Sequence, residues 1–443
     1  MEKRIINCRI VTPTGITEGD IYIKDGTIAA VGSGCPETVE TYDAAGALVF
    51  PGFIDGLTTL SGDELSRGTA FALAGGVTTV VDCAVPEGSE SLKETFARWK
   101  TGMEGGVCNY AVHLPVGCWN ENTDTEIYEL QNDGACCFLA DLTARDGISD
   151  GDLYRLFKSV DEAGGVLSCR CGSGSITKAM EDAYEEEGRT EPYWFAKSRP
   201  ELCETEAVVK ACMIAEMAGS PVNLLNISTV RSLGEITRAR GKSKGVFAGT
   251  CPQYLLLDEM RYSDPEGAML LCDPPFRSGR DRAMLWGAIG GGQLMTVSSD
   301  HFGWTAAQRD SEDFRSLPVG LPGTGMLPGL VWSRGVAENK FSPERMCGLL
   351  CENPARLFGL LPGKGVLAEG ADADIVIWDE SWECDDDAEK PDFSAYGFTP
   401  YMGIGLSGRP RAVFLGGELA AEDGRVLRFG DGKFVPERDP QVR

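Results

Sequence analysis

Histidine is nearly missing from this chain: His113 and His301 are the whole supply in 443 residues. Hydrolytic metal centres draw on several imidazole ligands, so a His-rich centre is excluded at once. Positive charge is also short. Lys and Arg number 41 against 67 Asp and Glu, a formal charge of −26. A chain this acidic is a poor electrostatic partner for nucleic acid or an anionic membrane face. No apolar run reaches the ~18 residues of a spanning helix. The opening MEKRIINCRIV lacks the apolar core and small-residue cleavage site of a secretory leader, and a cytoplasmic protein is expected. The 16 Cys then read as reduced, mostly buried thiols.

What is present is an ordinary globular balance: 42% hydrophobic and 24% charged residues, with 56 Gly and 23 Pro. The length implies two or three units, or one large α/β barrel with an appendage. Residues 1–48 alternate apolar and polar positions around KDG and GSG turn signals, and the texture returns over 365–443. A small β-sandwich built from both termini is expected. Between them, 49–364 carries eight apolar runs of strand character: 49–55, 77–82, 109–115, 136–139, 166–170, 222–227, 246–248 and 295–300. Helical patterns separate them, including ELCETEAVVKACMIAEMAGS, which closes at Gly219. Eightfold strand–helix alternation predicts a parallel (β/α)8 barrel, whose chemistry sits at the C-terminal strand ends.

Several blocks then resemble a known family. PGFIDGLTTL at 51–60 resembles the PGxIDxHxH signature of amidohydrolases. EPYWFAKSRPELCETEAV, TCPQYLLLD, DPPFRS, SSDHFGW, LPVGLPGTG and ENPARLFGLLPGKGVLAEGADADIVIWD follow in order. Together they resemble the dihydropyrimidinase/hydantoinase branch, from about residue 3 to the C-terminus. The resemblance implies a barrel with a composite β-sandwich, a dimeric or tetrameric assembly, and hydrolysis of cyclic amides by hydroxide bound to two divalent metals. It also implies six ligand positions: two His after the first strand, a carboxylated Lys on the fourth, a His on each of the fifth and sixth, and an Asp on the eighth. Here those positions hold Leu57, Thr59, Leu139, Arg170, Asn226 and Asp300. Leu has no donor atom, and Arg is a permanent cation. The family's substrate contacts fall at Ala144, Asp273 and Val319, with a further pair lost in GTGMLP.

The expected reading is therefore a homologue without the binuclear site and without a cofactor, acting as a non-hydrolytic scaffold or subunit. It would form a homo-oligomer, or a hetero-oligomer with an active paralogue, with association strengthening at moderate salt. The alternative is a hydrolase of cyclic amide or ureide C–N bonds with an atypical or metal-free site, zinc entering only in that case and Asp300 serving as base. Arg170 reads either as an anion anchor or as the partner of Asp300. His301 should point out of the barrel interior, and His113 reads as a core histidine. Asp55 should hold a neighbouring loop, and Asp273 is a new charge near the mouth. Cys169 and Cys171 should face away from Arg170, and Cys137 one layer below Leu139. The run 384–389 reads as a solvated loop.

Overall fold

Two apolar periodicities separate into two sheets in the computed structural model, which describes residues 2–32, 40–60, 62, 64–243, 245–311, 313–385, 395–438 and 440–441. The acidic run expected as a loop lies largely outside these residues. The first sheet is mainly antiparallel. Its strands run in the order Arg425–Val426, Glu418–Glu422, Leu406–Leu415, Ile375–Cys384, Leu48–Pro51, Glu2–Thr12, Gly15–Lys24 and Thr27–Gly32, with Glu40–Asp43 beside Glu2–Thr12. Alternate side chains Ile21, Ile23, Ile375, Ile377 and Phe414 pack into one buried layer. Each such side chain stabilises the fold by about 1.5–3 kcal/mol relative to exposure.

The second sheet is parallel and closes on itself. Its first seven strands are Phe53–Thr59, Val77–Cys83, Asn109–Pro115, Cys137–Asp141, Val166–Arg170, Val222–Leu225 and Val246–Thr250. The eighth is interrupted. Thr296–Val297 pairs with the seventh strand, and His301–Phe302 pairs with the first. Helices connect the strands, as in Glu201–Ala218, which ends at Gly219 in the left-handed region (φ 71°). The barrel interior is layered. Ile54, Val81, Ala111, Cys137 and Val166 form the base, closed by Phe358. Higher up, Leu57, Leu139 and Leu225 meet Cys83. Among the described residues no helix is long and apolar enough to cross a membrane.

Two boundaries differ from expectation. The run 49–55 is not one barrel strand: Leu48–Pro51 pairs with Arg9, Ile10 and Ile375–Trp378 in the first sheet, and the barrel begins at Phe53. Gly52 stands at the break, where a Cβ would lie 2.0 Å from Thr78 Oγ1, so the close approach there requires glycine. The stretch 365–443 is not wholly sandwich either. Near its end the chain crosses to the barrel base, where Lys433 O accepts from Tyr110 N at 3.0 Å and Val435 N donates to Tyr110 O at 2.8 Å.

Candidate functional site

Strand alternation turns Arg170, the last residue of the fifth strand, to the barrel's inner face. Asn226 follows the sixth strand, and Asp300 sits in the break of the eighth. Both hold left-handed backbones, φ 57° and 53°, which Asn and Asp tolerate better than other non-glycine residues. This geometry aims three side chains at one point. Arg170 Nη2 donates to Asp300 Oδ1 at 2.6 Å, and Asn226 Nδ2 donates to Asp300 Oδ2 at 2.9 Å. The side chains of Arg170 and Asp300 are only 11% and 3% exposed. Burial works against the guanidinium charge, but Asp300, then Asp141, outweigh it and hold Arg170 above the ordinary arginine pKa. Burial pushes the Asp300 carboxyl up, opposed by Arg170 and the Asn226 amide. Arg170 Nε is buried without a hydrogen-bond partner among the described residues, so the pair is held by one strong contact instead of a fork.

The surroundings do not fit two divalent metals. Leu57, Leu139 and Leu225 form an apolar cluster with Cys83, whose thiol is near enough to feel the charges of Arg170 and Asp300. Burial pushes the Cys83 thiol up to about 12, which keeps it neutral. Both Asp300 oxygens already accept a hydrogen bond, and a cation stands in the pocket. Among the described residues no group of three or more His, Cys, Asp or Glu is arranged to hold a metal ion. Thr59 does not join the cluster; it is half-buried and lines a wider cavity at the barrel mouth.

The remaining expected residues take structural places. Asp55 accepts from Ser299 N at 2.9 Å and from the Ser299 hydroxyl, tying the first strand to the eighth. Asp273 pairs with Arg199 at 3.0 Å. Ala144 is exposed, and the Val319 carbonyl accepts from Trp304 Nε1 at 3.1 Å. Cys169 and Cys171 pack in the large core, and Cys137 in the base layer below Leu139. His301 is fully buried: its Nδ1 accepts from Gly323 N at 3.1 Å. The proton is therefore on Nε2, which faces Glu64 Oε1 at 3.1 Å. The hydroxyl of Tyr396 donates to the same Glu64 oxygen at 2.7 Å. Sequence pattern singles out neither Glu64 nor Tyr396, and no motif around them would do so.

His113 is buried and neutral, its Nε2 set 3.0 Å from Gly56 O. Burial lowers its pKa to about 4. The unfolded chain takes up a proton near pH 6.5 and the folded chain does not. His113 therefore contributes stability that is complete above pH 6.5 and is lost as pH falls toward 4. At pH 4 the loss should approach roughly 3 kcal/mol. Unfolding titrations at pH 7 and pH 5 should show this loss in the native chain and a smaller one in His113→Gln. Equal pH dependence in the two proteins would contradict it.

Comparison with known proteins agrees with this architecture. A family model described as "Amidohydrolase family" matches residues 60–420. A D-hydantoinase of Ralstonia pickettii is 34% identical over 457 residues, covering 99% of each chain. A D-hydantoinase of Geobacillus stearothermophilus is 33% identical, covering 98% of this chain and 96% of the relative. The solved dihydropyrimidinase from Brevibacillus agri NCHU1002 superposes with a TM-score of 0.95 at 28% identity, over 99% of both chains.

Proposed function

The chain belongs to the amidohydrolase family, and from that premise we propose that it is a hydantoinase-like member acting as a non-hydrolytic scaffold or subunit, alone or with an active paralogue. The observation that carries this reading is the Arg170–Asp300–Asn226 cluster. A general base must reach the proton it removes. Each Asp300 oxygen already accepts a hydrogen bond, one from a fixed cation and the other from an amide. Leu57 and Leu139, in the apolar cluster with Cys83, offer no donor for a metal or for water.

A second reading is favoured by the relatives, whose names are those of enzymes. Taken by themselves, D-hydantoinase and dihydropyrimidinase matches along the full length favour hydrolysis of a cyclic amide C–N bond. One experiment separates the two. The chain is purified without chelator, its metal content is measured, and ring opening of dihydrouracil and a 5-substituted hydantoin is assayed, with light scattering for assembly. The first reading expects an oligomer with substoichiometric zinc and no ring opening above background. About one or two zinc per chain with turnover would establish the second.

A further inference from the structure

The mouth of the barrel is closed on one side and open on the other. Over the later strands, Arg199 bridges Glu181 at 2.8 Å and Asp273 at 3.0 Å, and Arg277 Nη1 donates to Arg199 O at 2.6 Å. The space left among these groups is about 10 Å³, about enough for one water. On the opposite side, over the first, second and eighth strands, lies a cavity of about 500 Å³, within the range of small-molecule sites. We propose that this offset cavity binds a zwitterionic amino acid with an apolar or aromatic side chain. The inference stands beside the reading above and does not depend on it, since it concerns binding and not ring opening.

The lining supports that class of ligand. Phe302, Trp304 and Leu60 supply apolar wall, and the Trp304 indole is fixed by its bond to Val319 O. The floor carries the Thr59 hydroxyl and the neutral Cys83 thiol, so it presents no charge. The polar groups come in both signs. Arg67 and Arg98 are 37% and 36% exposed. Each is already held in place by the protein: Arg67 by Glu64 and by Gly303 O at 3.2 Å, Arg98 by Glu90 at 2.8 Å and Val85 O at 2.6 Å. Such preorganisation lowers the ordering cost of binding. Gly303 is needed for it, because a Cβ there would fall 2.0 Å from Glu64 Cδ. Glu87, 74% exposed, stands at the rim with one contact to Arg98 at 3.3 Å. Among the described residues, Arg67 and Arg98 against Glu64, Glu87 and Glu90 leave a local excess of one negative charge. A simple anion would meet Glu87, and a simple cation would meet two guanidinium groups. A carboxylate on Arg67 and an ammonium on Glu87, with the side chain against Phe302 and Trp304, satisfies both signs.

The test is calorimetric titration of the whole chain with phenylalanine, 2-phenylethylamine and 3-phenylpropionate, alongside tryptophan fluorescence. Phenylalanine should bind, and each analogue, missing one charge, should bind about tenfold more weakly. Glu87→Gln should weaken phenylalanine about tenfold and abolish its advantage over 3-phenylpropionate. Arg67→Met should abolish its advantage over 2-phenylethylamine. Arg67 also pairs with Glu64, so Glu87→Gln, at the exposed rim, carries the test if Arg67→Met fails to fold. No binding of phenylalanine, or equal binding of all three probes, would overturn the proposal. Ring-opening activity without phenylalanine binding would overturn this inference and the scaffold reading together, whereas binding without activity supports both.

Discussion

Asp300→Asn and Arg170→Met are each expected to destabilise the barrel by about 3–5 kcal/mol, and the double variant by no more than either single one. Each single change strands a buried group without its partner. Asp300→Asn leaves the Arg170 guanidinium, 11% exposed, without its carboxylate. Arg170→Met leaves a carboxylate, 3% exposed, with the Asn226 amide as its remaining side-chain donor among the described residues. An unpaired buried charge is far more costly than a pair, whereas replacing both charges by groups of similar volume is close to neutral. Asparagine is the right test residue at 300 because it tolerates the left-handed backbone there. A thermodynamic cycle from denaturant midpoints measures the coupling. Additive single effects would show that Arg170 and Asp300 stand together without depending on one another.

The pair also shows how far residue pattern alone reaches. Its convergence follows from the family resemblance, which places both residues among the six ligand positions; strand pattern adds only that Arg170 lies at an inward position of the fifth strand, while Asp300 sits in the break of the eighth. The Leu57–Leu139 packing follows in the same way. Barrel strands are legible wherever an apolar run stands alone, as at Asn109–Pro115 and Val166–Arg170. The division at Gly52 is not. Leu48–Pro51 and Phe53–Thr59 are both almost wholly buried, so the apolar run passes through the break with no change of pattern, and only the pairing partners on either side reveal it. Arg199, Glu181 and Asp273 sit in loops and helices with no period to align them. Glu64 and Tyr396 lie 332 positions apart. Local pattern says nothing about contacts of that span.

The C-terminal strap is hidden for a related reason. GKFVPE is a short segment with Phe434 and Val435 side by side and Pro436 after them, so no period marks its destination, and it leaves the sandwich to seal the barrel base. Phe434 packs among Phe96, Trp99 and Tyr110, with ring centroids 5.8–6.3 Å away. Glu437 follows it inward and is 1% exposed. Its Oε1 accepts from Val112 N at 3.0 Å, and its Oε2 from Cys136 N and Cys137 N at 2.6 and 2.8 Å. One carboxylate from the end of the chain thus satisfies three backbone donors of the third and fourth strand segments. Glu437→Ala should leave all three N–H groups buried without acceptors, at about 1–3 kcal/mol each. The total expected loss is about 3–9 kcal/mol, toward the lower end if water enters. Glu437→Gln should lie between the variants, since an amide keeps one acceptor oxygen and turns its NH2 toward a backbone N–H. Denaturant unfolding supplies the energies, and limited proteolysis should show the residues after Gly432 becoming cleavable in Glu437→Ala while the barrel stays intact. A Glu437→Ala protein within about 0.5 kcal/mol of the native chain, its tail still protected, would mean that Phe434 packing alone holds the strap and that the carboxylate is incidental.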